Sequence, residues 1–432
     1  MKADIINAQK ALTDLIKINS VEEPPLPGMP FGKGCAEALG YALKLLEKFG
    51  FKTKNLDNYC GWGEVGEGEL FGILGHLDVV PVGQGWNFPP FGAEISDGKM
   101  YGRGTMDDKG PVVACIFAVA RLLQEGLRPK KRIRIILGCD EESGWLCMER
   151  YAKTEEMPVM GFSPDSDFPV INCEKGIVYH KISFPLPSDI LSLSAGTRAN
   201  VVPDYAEASV LYDEDIERVA RKRGCQTEVK DGVLYISAFG KSAHGSAPDK
   251  GVNALVILCE ALGAAYADFN AIFRAFSAHD GSGIGLKLFD KKSGSLTLNP
   301  GTANIEGGRA VFELDIRYPV SYNMDLIYEI LKSNLPLCEI ERGNYHLPLY
   351  VEPDSPLVKA LLEAYDGVMG TKSSPISIGG GTYARFLPYG VAFGGQFPGT
   401  PSTIHQRDEY IDLKEFEKMI EIYYEAIKKL CF

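Results

Sequence analysis

Along the first 180 residues, apolar positions alternate between helical and strand spacing. Ile5, Leu12, Leu15 and Ile16 fall on one face of a helix within residues 1–20. Leu39, Ala42, Leu43 and Leu46 form a second helical stripe that Gly50 can end. Leu70 to Gly75, Ile133 to Gly138 and Val159 to Phe162 are short apolar runs of the length of buried strands. Between the first two, Pro111 opens a helix that runs through Val119 and Leu122 and stops at Gly126. Beyond residue 348 the rhythm resumes, with a helix near Pro356 to Tyr365 and strands at Pro375 to Ile378 and Val391 to Gly394. A final helix covers Leu413 to Leu430. Strands alternating with helices predict an α/β catalytic domain with a largely parallel sheet and flanking helices, built from residues 1–180 and 349–432.

Between these parts, over residues 181–348, the pattern changes. Strand-like runs at Ala206 to Leu211 and Ala310 to Tyr318 each precede a helical stretch with an acidic start. Gly196-Thr197-Arg198-Ala199-Asn200 recurs as Gly301-Thr302-Ala303-Asn304, with an offset of 104 residues between the asparagines. The same offset relates Ala206 to Ala310 and places Asp213 opposite Arg317. This weak repeat predicts an inserted α+β domain of two similar halves.

Composition narrows the functional classes. Net charge is −12 with no basic stripe, which argues against nucleic acid or an anionic membrane surface as partner. No apolar run approaches the ~18 residues of a membrane span, and the N-terminal stripe lacks the apolar core of a signal peptide. Ten scattered cysteines form no CxxC pair, and several, such as Cys115 and Cys259, sit in apolar segments as packing residues. The expectation is an acidic, soluble, cytoplasmic protein.

Acidic and histidine clusters follow the predicted strands. His76-Leu77-Asp78 follows the first, Asp140-Glu141-Glu142 the second and Asp165 the third; Asp107-Asp108-Lys109-Gly110 closes a glycine-punctuated loop, and His405 lies in a Pro/Gly-rich loop near the end. Ligands of open α/β sheets bind at the carboxyl ends of the strands, so these groups can face one crevice. Singly, Asp140 to Glu142 and Asp107-Asp108 read as helix caps, and His76 as a core or loop histidine. Together, so many carboxylates at one crevice require cations. Two histidines with several carboxylates suit a pair of divalent ions, zinc first, with manganese or cobalt as alternatives. The doubled Glu141-Glu142 offers one ligand and one general base. Cys139, beside the triplet, reads as packing, and His180, His279 and His346 as structural or exposed.

The chain resembles the co-catalytic metallopeptidases that include carnosinase, aminoacylase and succinyl-diaminopimelate desuccinylase, most closely the bacterial peptidase V-type dipeptidases. The resemblance rests on Gly75-His76-Leu77-Asp78-Val79-Val80-Pro81, Tyr101 to Gly110, Asp140-Glu141-Glu142-Ser143-Gly144, Ser163-Pro164-Asp165, Lys241-Ser242-Ala243-His244-Gly245, and Gly379-Gly380-Gly381-Thr382-Tyr383 with His405. It implies that Asp107 bridges two metals, that Glu142 and His405 complete one, and that His76 and Asp165 complete the other. It makes Glu141 the general base and Asp78 the residue that orients His76. It makes residues 181–348 a lid, in which His244 is a catalytic group and Asn200 and Arg317, with Gly380 of the C-terminal motif, bind substrate, holding its carboxylate and polarising its scissile carbonyl. The lesser alternative for Arg317, in Asp315-Ile316-Arg317, is a surface arginine on an edge strand. The implied activity is hydrolysis of unblocked dipeptides by a monomer whose second half-lid replaces a dimer partner. An N-acyl-amino-acid deacylase or desuccinylase is the nearest alternative, and a binding protein that has lost catalysis a more distant one.

Overall fold

The computed structural model describes residues 2–432. The chain divides into two compact units. One comprises Met1–Asn172, Leu349–Ile376 and Thr382–Phe432, the other Cys173–Pro348 and Ser377–Gly381. Among the described residues no helix is long and apolar enough to cross a membrane.

The first unit is built on a mixed sheet. Its strand order is Lys52–Leu56, Cys60–Val65, Arg132–Gly138, Leu70–His76, Met160–Ser163, Gly390–Ala392, Ile171–Glu174 and Leu349–Tyr350, with Ile376–Ile378 also beside Ile171–Glu174. The four strands from Arg132–Gly138 to Gly390–Ala392 are parallel. All seven residues of Leu70–His76 are buried, which is why that strand reads as one continuous apolar run. The flanks are antiparallel, so the largely parallel sheet expected from the sequence is confined to the centre. Helix Lys109–Gln124 packs against Lys2–Ile16 and Leu413–Cys431. It starts two residues before Pro111, which still falls in the first turn, where a missing N–H costs nothing. All ten cysteines are free, and Cys139 is fully buried, as its packing role requires.

The second unit holds an antiparallel eight-stranded sheet ordered Gln226–Lys230, Val233–Phe239, Tyr205–Leu211, Ile190–Ala195, Thr297–Glu306, Arg309–Tyr318, Gly176–Pro185 and Glu339–His346. The two groups of four meet where Ala195 pairs with Ala303. Helices Glu214–Lys222, Ala254–Leu262, Ala267–Phe276 and Met324–Asn334 bury Ile216, Leu258, Phe269 and Leu331 in the core of this unit. Ala206 and Ala310 sit one residue from the start of their strands, and each strand leads to a helix capped by a side chain, Asp213 on the Ile216 N–H and Asn323 on the Leu326 N–H, both at 2.9 Å. The later strand is three residues longer, so Arg317 is still in the sheet where Asp213 has already become a cap. The strand Gly176–Pro185 spans the 180/181 boundary expected from the sequence and pairs along its length with Arg309–Tyr318. His180 on that strand is buried, edge-on to Tyr328 with ring centres 6.0 Å apart.

Candidate metal centre

Three parallel strands deliver their chemistry at the same end. His76 is the last residue of Leu70–His76, Asp140 to Glu142 follow Arg132–Gly138, and Asp165 follows Met160–Ser163. Asp107 closes the loop before helix Lys109–Gln124, and its peptide bond to Asp108 is cis. His405 comes from a loop and has a φ of 62°, a left-handed conformation uncommon outside glycine and typical of functional positions.

These side chains converge. His76 Nε2 lies 2.9 Å from Asp107 Oδ1 and 3.7 Å from Asp165 Oδ2. His405 Nε2 lies 3.0 Å from Asp107 Oδ2 and 2.9 Å from Glu142 Oε1. Asp107 thus presents one oxygen to each histidine. Two sets of donor atoms fit a single ion, His76–Asp107–Glu142 and His76–Glu141–Asp165. All five ligands implied by the resemblance, together with Glu141, are brought together within the first unit.

The electrostatics follow from crowding. Burial and then the charges of Asp107 and Glu142 push Asp165 up to about 8. Burial, with Asp165, Glu142 and Asp107 nearby, raises Glu141 well above the carboxylate range, and burial and Asp107 raise Glu142. Burial also opposes ionisation of Asp107, but hydrogen bonds from His405 and His76 overcome it and hold that carboxyl well below its usual value. Against its own burial, His405 is raised to about 11 by Asp107 and Glu142. A donor set of two imidazoles and four crowded carboxyl groups is one that divalent cations would relieve.

Surrounding groups fix the donors. His76 Nδ1 is 3.0 Å from the Asp78 carbonyl oxygen and 3.5 Å from its Oδ1. Asp78 Oδ2 accepts the backbone N–H groups of Glu141 and Glu142 at 2.9 and 3.0 Å, so Asp78 meets the histidine ring through its carbonyl and the acidic pair through its carboxylate. Asp108 precedes helix Lys109–Gln124 but makes no capping bond; its Oδ2 accepts from the His76 N–H instead. Asp140 does act as a cap-like acceptor, taking the N–H groups of Gly144 and Leu146 at the start of helix Leu146–Thr154. Arg103 and Glu409, a buried pair beside Asp107, are not evident from the sequence. Their only signals are an arginine inside the glycine loop and an acid four residues after His405.

In the second unit, Asn200, His244, Arg317 and Gly380 also form a group. The Asn200 carbonyl accepts from the Gly245 N–H at 2.7 Å, and Val201 bridges to His244. His244 is exposed, and its Nδ1 lies 2.7 Å from the Ser246 hydroxyl oxygen and 3.1 Å from the Ser246 backbone nitrogen. Gly380 lies in the segment Ser377–Gly381. Arg317 is not the edge-strand surface arginine of the lesser alternative. It is 3% exposed on an interior strand, because Asp315 grips it through Nε at 2.6 Å and Nη2 at 2.8 Å. The Tyr179 hydroxyl and the Gly379 carbonyl take two more of its hydrogens. One of five N–H groups, on Nη1, is left for a ligand.

The fold and this centre define a metallopeptidase-type α/β protein, and the chain belongs to the M20/M25/M40 peptidase family, whose profile matches residues 72–429. It is 41% identical over 446 aligned residues, 96% of both chains, to the provisionally named dipeptidase YtjP of Bacillus subtilis strain 168. Its fold is similar to that of human carnosine dipeptidase 1, with a TM-score of 0.64 at 15% identity over 99% of this chain and 97% of that one. It is similar also to the Saccharomyces cerevisiae di-peptidase Dug1p, with a TM-score of 0.60 at 16% identity over 99% and 98%.

Proposed function

We propose that this peptidase is a dinuclear metal-dependent dipeptidase acting on unblocked dipeptides in the cytoplasm. The observation that carries the reading is Asp107, whose two carboxylate oxygens face His76 and His405 at 2.9 and 3.0 Å. In this reading Asp107 is shared by two ions, His76 and Asp165 complete one set of ligands, and Glu142 and His405 the other. When bound, such ions supply a nucleophilic water near neutral pH and charge to stabilise the tetrahedral transition state. Imidazole with carboxylate favours zinc, manganese or cobalt over magnesium or calcium.

The chain's own groups do the rest. Glu141 takes the proton of the attacking water on its carboxylate and returns it to the leaving amine. Asp78 holds the His76 ring and the backbone of the acidic pair in place. Residues 181–348 act as the lid. There His244 polarises the scissile carbonyl, Asn200 and Gly380 line the substrate, and the remaining Nη1–H of Arg317 meets the terminal carboxylate. The fork is occupied by Asp315, so this last contact is a single charged hydrogen bond rather than a bidentate clamp. Two groups of four strands within one chain support action as a monomer.

The test is metal analysis of the purified protein with a hydrolysis panel of free, N-acetylated and C-amidated dipeptides. Two ions per chain and preference for the free dipeptide are expected. Preference for the N-acetylated compound would replace the dipeptidase by a deacylase, and a metal-independent activity would remove the dinuclear centre.

A further inference from the structure

Two segments about 300 residues apart in sequence meet beside the candidate metal centre. The first, residues 99–107, ends in Asp107. The second, residues 405–412, begins with His405. One side chain joins them. Glu409 is fully buried, and its Oε1 accepts from the backbone N–H groups of Gly104 at 3.1 Å, Met106 at 2.9 Å and Asp107 at 3.3 Å. Its Oε2 accepts from Arg103 Nη1 at 2.7 Å, and Arg103 is itself only 1% exposed. The backbone continues the junction. The Gly102 N–H donates to the Glu409 carbonyl at 2.8 Å, and the strand Tyr410–Asp412 pairs with Lys99–Tyr101 in antiparallel register.

Core packing alone does not require this arrangement, since burying a carboxylate is costly unless its oxygens are satisfied. Here they are satisfied almost wholly by the loop that carries Asp107. Four residues along its own segment stands His405, held in a left-handed conformation. We infer that Glu409 is a positioning residue for the metal centre: its carboxylate sets Asp107 relative to His405, so that the two oxygens of Asp107 each face a histidine. Arg103 orients that carboxylate from its other oxygen. Glu409 touches neither substrate nor ion. Its effect passes through the loop backbone, as that of outer hydrogen-bond partners of metal ligands does. The inference rests on the dinuclear reading above.

Metal binding separates the two levels. Apo-protein is titrated calorimetrically with cobalt(II), and the visible cobalt spectrum is recorded, for the wild type, Glu409→Gln and Glu409→Asp. Leu46→Ala, in the buried core of the same unit, serves as a variant destabilised elsewhere. All measurements are made well below each protein's melting temperature, with folding checked by circular dichroism. Glu409→Gln replaces one of the two acceptor oxygens by an amide that can only donate there, and Glu409→Asp is one methylene too short to reach the loop. Both are expected to weaken cobalt binding about 10–100-fold and to alter the spectrum. Leu46→Ala is expected to melt earlier yet bind cobalt as the wild type does. Glu409 variants that bind two cobalt ions with wild-type affinity and spectrum, whatever their melting temperatures, would overturn the positioning role. A wild type that binds fewer than two ions would instead overturn the dinuclear reading. If one Glu409 variant does not fold, the other decides the question by the same criterion.

Discussion

Replacing Arg317 by methionine should do two separable things. The first concerns stability. Asp315 is fully buried and Arg317 nearly so, and they are joined at 2.6 and 2.8 Å. Removing the guanidinium leaves a carboxylate without its cation in the interior, which costs about 3–5 kcal/mol. Changing Asp315 to asparagine in the same chain removes that stranded charge, so Asp315→Asn/Arg317→Met should recover most of the loss. The second effect concerns the substrate. With one N–H left for the terminal carboxylate, the lost contact is worth about 1.5–3 kcal/mol, or ~10–150-fold in kcat/KM for a free dipeptide. On the C-amidated dipeptide the penalty should be much smaller. Urea denaturation followed by circular dichroism reads the first effect, and kcat/KM on the two substrates reads the second. The double variant should regain stability without regaining discrimination. A single variant as stable as the wild type would refute the buried pairing, and equal penalties on both substrates would remove Arg317 from carboxylate recognition.

Glu141→Gln should keep its full metal content and lose at least ~10²-fold in turnover, because Glu142 remains as ligand while the proton acceptor is gone; an active variant with full metal would reassign the base. Asp107→Ala should deplete both ions together, as chelation of the wild type should, with loss of activity; depletion of one ion alone, measured by metal analysis, would mean that Asp107 is not shared. His180 carries a pH signature: burial and then Arg342 lower it to about 4 from 6.5. The unfolded chain therefore takes up this proton first, so its contribution is intact above pH 6.5 and is lost as the pH falls towards 4. The loss is about 3 kcal/mol. His180→Phe, which keeps a ring against Tyr328, should lose less stability than the wild type between pH 6.5 and 4, as read by denaturation midpoints.

The centre is legible in the sequence because chemistry there interrupts uniform apolar runs. His76 ends a seven-residue buried strand, and Asp140 and Asp165 follow others, so strand ends alone mark the crevice. The antiparallel flanks are less legible: Cys60–Val65 is largely buried whichever way its neighbour runs, and burial carries no direction. Asp140 and Asp108 show how one residue pattern splits. Both look like caps, but only Asp140 binds helix-start N–H groups, while Asp108 turns to the His76 backbone. The buried pairing of Arg317 and the role of Glu409 are opaque for a common reason. Their partners, Asp315 on one side and the Gly104 to Asp107 backbone on the other, depend on burial and loop geometry that no spacing rule encodes.

The separation of Asp107 from His405 also bears on when the protein can become active during its synthesis. The two residues are 298 positions apart. At ~5–20 residues per second, a ribosome needs roughly 15–60 s to travel from one to the other. For most of that interval, once Asp165 is made, His76, Asp107, Glu142 and Asp165 are present, while His405, the Glu409 that grips the Asp107 loop and the helix Leu413–Cys431 are not. A nascent chain that stops short of residue 405 therefore carries an incomplete set of the proposed ligands. Truncation before residue 405 would remove the proposed ligand His405 and Glu409 together, giving a protein without the complete proposed centre rather than one with a slightly weakened one.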